Sequence, residues 1–142
     1  MIGIRHLDDL DVESQPRTKR WCYNMKNIHE SVSKLLNNKL DKYKSKNLDS
    51  STCTEIYTDI FDTFVTLFEE SKAPLSNESV NLISQMYYDS ITVNSHQELD
   101  PNIFNQRAST KSVETKELAL LATMFNKTPF ASVFISEIKR RS

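Results

Sequence analysis

The sequence predicts an all-α fold, a single-domain bundle of about five helices over residues 17–142. An acidic and apolar N-terminal arm over residues 1–16 precedes it. Two observations carry that prediction. The chain of 142 residues contains one glycine, Gly3, where average usage of about 7% would supply roughly ten. Tight hairpin turns need positive φ and therefore glycine, Asn or Asp, so a sheet is hard to build from this composition. Apolar residues also recur at steps of three and four along several long segments, the period of an amphipathic helix.

The arm sets Ile2, Ile4, Leu7, Leu10 and Val12 among Asp8, Asp9, Asp11 and Glu13, and Pro16 separates it from the helical region. It is too short and too charged to fold alone. Its apolar residues gain when another surface covers them. Ile4, Leu7 and Leu10, with Arg17, Lys19 and Arg20 just beyond, are therefore the expected contacts to a protein partner or to a second copy of the chain.

The first long helix is predicted from about Arg17 to about Lys44, on a stripe of Trp21, Met25, Ile28, Val32, Leu36, Leu40 and Tyr43. Residues 45–51 read as a loop. Thr52 and Glu55 match a capping box, in which hydroxyl and carboxylate each accept an orphan amide. The second helix then carries Ile56, Tyr57, Ile60, Phe61, Phe64, Leu67 and Phe68, a wide apolar face that suits the centre of the bundle. Ala73-Pro74 stops it, because the residue before proline leaves the helical region. Ser76 caps a third helix with Val80, Ile83, Met86, Tyr87 and Ser90 inward. Residues 94–111 read as a long polar loop, with Ile103 and Phe104 able to pin it to the core. Ser112 opens a fourth helix with Leu118, Leu121, Met124 and Phe125. Thr128-Pro129 places proline at a first helical position, a start signal. The last helix carries Phe130, Val133, Phe134 and Ile138, and ends on Lys139, Arg140 and Arg141, where cations complement the helix dipole.

Net charge is −1, but it is segregated: −3 over residues 1–16, +7 over 17–46, −9 over 47–100 and +4 over 101–142. Either the basic helices neutralise the acidic middle internally, or the molecule offers faces of opposite sign to charged partners or to its own copies.

The same sequence excludes much. A P-loop, a dinucleotide fingerprint and a kinase glycine loop each need several glycines. His29-Glu30 opens like a zincin helix, but the second histidine is replaced by Ser33. His96, Glu98 and Asp100 lie close together in the polar loop, where solvated side chains are far commoner than a metal site. No nucleophile and base share a local context. No enzymatic activity, cofactor or metal is expected. The longest apolar run, Leu118–Ala122, is too short to span a bilayer. The N-terminus lacks the pattern of a secretory signal, and Cys22 and Cys53 form no CxxC pair. These features predict a cytoplasmic, nuclear or virion protein that is neither secreted nor in the membrane. The Lys-, Asn- and Ser-rich, glycine-poor usage suggests an AT-rich genome such as that of a phage, a virus or a parasite.

The functional expectation is a non-enzymatic protein–protein interaction module, a structural or adaptor subunit of a larger assembly. The alternative is a nucleic-acid-binding regulator. It would use the basic helix 17–46, through Lys39 and Lys42, and a degenerate helix-turn-helix at 116–141, through Lys127, Lys139, Arg140 and Arg141. The would-be reading helix counts against this. It starts Pro129-Phe130-Ala131-Ser132, where Arg, Asn or Gln would read base edges.

Overall fold

The computed structural model describes residues 28–71, 75–92, 101–110, 112–126 and 128–142. The arm, the N-terminal part of the first predicted helix including Trp21 and Met25, and the Ala73-Pro74 stop lie outside the described residues. Every element among the described residues is helical. They are α1 (Ile28–Leu40), a 3-10 turn (Asp41–Tyr43), α2 (Ser50–Ser71), α3 (Asn77–Ile91), α4 (Pro101–Thr110), α5 (Thr115–Met124) and α6 (Phe130–Arg141). The predicted all-α class holds, with six helices among these residues rather than about five.

Spatial order differs from chain order. α1 packs on α2, α2 on α3, α3 on α4, α4 on α6, and α6 on α5. The α1 stripe reads as predicted: Ile28, Val32, Leu36, Leu40 and Tyr43 are buried, against Ile56, Ile60 and Phe64 in the same core. The centre is aromatic. Phe64 of α2 lies 4.9 Å, centroid to centroid, from Tyr87 of α3, and Tyr87 lies 4.9 Å from Phe130 of α6. Phe125, at the end of α5, stands 6.0 Å from Tyr87, and Phe104 of α4 meets Phe130 edge-on at 5.4 Å. The Tyr87 hydroxyl shares a 2.6 Å hydrogen bond with His29 Nδ1 of α1. Tyr87 thus touches α1, α2, α5 and α6. Edge-on aromatic pairs add about 0.5–1.5 kcal/mol each beyond the area they bury.

Three element boundaries differ from the sequence reading, each for a local reason. Residues 101–110 are helix α4, not loop. Pro101 stands at its first position, and Phe104 and Ala108 share one buried face a turn apart. Of the two proposed pins, Phe104 is buried and Ile103 is 39% exposed. Arg107 adds an ion pair to Asp89 of α3 at 3.0 Å. The α2 start is set by Asp49 rather than by a Thr52/Glu55 box. Asp49 Oδ1 accepts from the Thr52 amide at 2.8 Å, its carbonyl accepts from Cys53, and Thr52 sits inside the helix. The amide bond from Thr52 holds the Asp49 carboxyl below its usual range. The helix after Ser112 begins only at Thr115, where the Glu114 carbonyl accepts from the Glu117 and Leu118 amides. Val113 is buried before it, and its carbonyl is taken by Arg141 at 2.5 Å.

The predicted cap at Ser76 holds, and α6 begins one residue later than predicted, at Phe130 with Pro129 as its N-cap residue. Ser76 is the N-cap of α3 and its hydroxyl accepts from the Ser79 amide. Thr128 Oγ1 accepts from the Phe130 amide at 3.2 Å, with Pro129 between them at φ −61°.

Candidate functional site

Among the described residues two acids are buried, Glu117 and Glu137, and their surroundings show what they do. Glu117, on α5, reaches the start of α3. Its Oε1 accepts from the Ser76 amide at 2.7 Å, the Ser76 hydroxyl at 2.9 Å and the Ser79 hydroxyl at 2.6 Å. This is a capping box whose carboxylate comes from another helix. Burial raises the Glu117 pKa, but the Ser76 amide, the two hydroxyls and the Lys116 charge outweigh it and hold the carboxyl below its ordinary value.

Glu137, on α6, has a side chain only 3% exposed. Arg140 donates to it from Nε at 2.8 Å and Nη2 at 2.6 Å, and Arg141 donates from Nε at 2.8 Å. Those bonds, Arg140's foremost, hold its pKa down at about 2. Arg141 continues to the Val113 carbonyl and Thr115, so it ties the last helix to the segment that opens α5.

Among the described residues of the nucleic-acid alternative, four side chains hold a partner within the fold. Arg140 and Arg141 converge on Glu137. Lys39 donates to Thr63 Oγ1 at 3.0 Å. Lys42 lies 3.5 Å from Asp59 and over the Tyr43 ring. Lys139 is exposed, and Lys127 lies outside the described residues. On the would-be reading helix, Phe130 and Phe134 are fully buried and Ala131 is 8% exposed. α5 and α6 form a core hairpin.

Of the partner contacts expected from the arm, Ile4, Leu7, Leu10, Arg17, Lys19 and Arg20 all lie outside the described residues, as do His96, Glu98 and Asp100. Among the described residues no group of His, Cys, Asp and Glu is placed to hold a metal ion, and no helix is long and apolar enough to cross a membrane.

Two surface features remain. The first is a row of acids on α2. Glu55, Asp62 and Glu69 stand two turns apart on the outward face, all exposed. None has an ion pair among the described residues; Asp59, nearer α1, takes Lys42 and accepts from the Tyr43 hydroxyl at 2.7 Å. Among the described residues, ion pairing thus reaches Asp59 of α2 and none of the row. The second is a polar groove of about 490 Å³ between α4 and α6. Asn102, Asn105, Gln106 and Ser109 line one side, and Ser136, Glu137 and Arg140 line the other. Neither feature was legible beforehand, since each depends on which face of a helix is covered.

No protein-family model, no curated protein and no solved structure matches this chain.

Proposed function

We propose that the protein is a non-enzymatic interaction module that binds a basic helical segment of a protein partner along the outward face of α2. The observation that carries this reading is the row Glu55, Asp62 and Glu69, exposed and without a cation among the described residues. Spacing of two turns repeats one face of a helix, and complementary charge sets partner choice and encounter rate more than raw affinity. The buried titratable groups are already engaged within the fold: Glu117 caps α3, Glu137 clamps two arginines, and His29 and Tyr87 bond each other.

A synthetic amphipathic helical peptide with lysines two turns apart along one face tests it. The protein should bind this peptide at low salt and lose it as salt rises past the screening range of about 0.1–0.2 M. A variant with Glu55→Gln, Asp62→Asn and Glu69→Gln should fold and bind at least tenfold more weakly, a difference of about 1.4 kcal/mol. Equal binding by the variant would overturn the reading. So would retention of duplex DNA or RNA with a steep salt dependence.

A further inference from the structure

The groove between α4 and α6 carries chemistry that the α2 row does not. On α4, Asn105, Gln106 and Ser109 occupy one polar stripe, away from the buried Phe104 and Ala108. Facing them are Ser136 and Arg140 of α6, over the buried Glu137. The Asn105, Gln106 and Ser136 side chains have no hydrogen-bond partner among the described residues. Each carboxamide offers two N–H donors and one carbonyl acceptor. That set complements the donor and acceptor of a peptide unit, so a stripe of carboxamides can satisfy the main chain of an extended segment.

Arg140 supplies direction. Glu137 holds two of its nitrogens, Nε and Nη2, and the carboxylate that does so is itself buried. The guanidinium is therefore fixed in orientation while its side chain stays 59% exposed. Of the five N–H donors of a guanidinium, those not used on Glu137 remain for a ligand. Glu137 is matched by Arg140 and Arg141 together, so the local charge is positive and favours a carboxylate. Nucleic acid fits poorly: among the described residues no aromatic side chain lines the groove for a base to stack on, and Arg141 is already committed to Glu137 and the Val113 carbonyl.

We propose that this groove binds an extended peptide segment by its main chain, through Asn105, Gln106 and Ser136, and anchors a carboxylate of that segment on Arg140. The inference rests on reading the chain as a protein-binding module, but it uses a surface separate from the α2 row.

The test is nitrogen–proton correlation NMR on the full chain, titrated with N-acetyl-triglycine, which offers a main chain without side chains and a free carboxylate. Its C-terminal amide and sodium acetate are titrated in parallel. The tripeptide acid should shift the Asn105 and Gln106 side-chain amides and the Arg140 Nε–H together, saturably, with a dissociation constant of about a millimolar. The amide form should bind about tenfold more weakly. Acetate should move Arg140 alone. Arg140→Gln should bring the acid down to the level of the amide, and Asn105→Ala with Gln106→Ala, on an exposed face, should weaken both peptides. The same spectra report whether each variant is folded. The variant neutralised at Glu55, Asp62 and Glu69 should bind the tripeptide as the unaltered chain does, so loss at one surface is distinguished from loss at the other. Equal binding of acid and amide, acetate matching the tripeptide, or carboxamide signals that do not move would each overturn the proposal.

Discussion

Along α2, Glu55, Asp62 and Glu69 stand in solvent without an ion pair among the described residues. On α5 and α6, Glu117 and Glu137 are buried and each accepts three hydrogen bonds. The side chains are chemically alike, and their surroundings give them opposite consequences. An exposed carboxylate contributes little to stability even when paired, typically about 0–1 kcal/mol. A buried one is costly unless it is hydrogen-bonded or paired. Glu117 and Glu137 persist in the interior because Ser76, Ser79, Arg140 and Arg141 meet them. In doing so they join the start of α3 to α5, and the end of α6 to the segment before α5. Glu55, Asp62 and Glu69 of α2 hold no ion pair among the described residues, and the proposed function assigns them to a partner.

The core provides the reference against which both groups are measured. Phe64→Ala removes a fully buried ring in contact with Tyr87, Phe68 and Phe125. Urea denaturation should show a loss of about 3–5 kcal/mol. A loss under about 1 kcal/mol would move Phe64 out of the core.

Glu117→Ala leaves the Ser76 amide and two hydroxyls without their acceptor. The expected loss is about 2–3 kcal/mol, since a buried group stripped of its partner costs about 1–3 kcal/mol. Hydrogen exchange should accelerate first at the start of α3. Uniform exchange across the chain would show that Glu117 fills space rather than caps.

Acid should act on the same group of residues. Glu117 and Glu137 both titrate below their unfolded value of 4.5 in the folded chain, Glu137 at about 2. A depressed carboxylate pKa contributes stability that is complete above the unfolded value and lost as pH falls through the folded one. Stability should therefore decline from about pH 4.5 toward pH 2, and Glu137→Gln should flatten part of that decline. An unchanged slope in that variant would mean that other carboxylates set it.

Ser84 is the converse of Glu117. Its hydroxyl is buried and has no hydrogen-bond partner among the described residues. Ser84→Ala removes the unmet group and should leave stability unchanged or raise it by up to about 1 kcal/mol. A loss of similar size would show that the hydroxyl has a bound water as partner.

Legibility in the sequence divides along the same line. Periodic apolar stripes exposed α1, α2, α3 and α6, because a helix that buries one face must repeat every three or four residues. Phe64 and Tyr87 were legible as core from that spacing. The cap at Ser76 and the start signal at Thr128-Pro129 were legible because they act on amides two or three residues away. α4 escaped, since ten mostly polar residues with Phe104 and Ala108 as their buried pair give too short a pattern. Asp49 was overlooked because Thr52 and Glu55 matched a more familiar motif three residues on. Glu117 could not be read at all: its partners lie 38 and 41 residues away. The α2 row and the α4–α6 groove were hidden for a related reason. Sequence lists charges, and only packing shows which of them are covered.

The most direct test of the central claim is paired urea denaturation and peptide binding on the Glu55→Gln, Asp62→Asn, Glu69→Gln variant, with the lysine-bearing helical peptide as ligand. The expected result is a stability within about 0.5 kcal/mol of the unaltered chain, as for surface substitutions generally, together with loss of peptide binding. A variant that loses more than about 1 kcal/mol, or one that binds the peptide as before, would contradict the division between acids that hold the fold and acids that meet a partner.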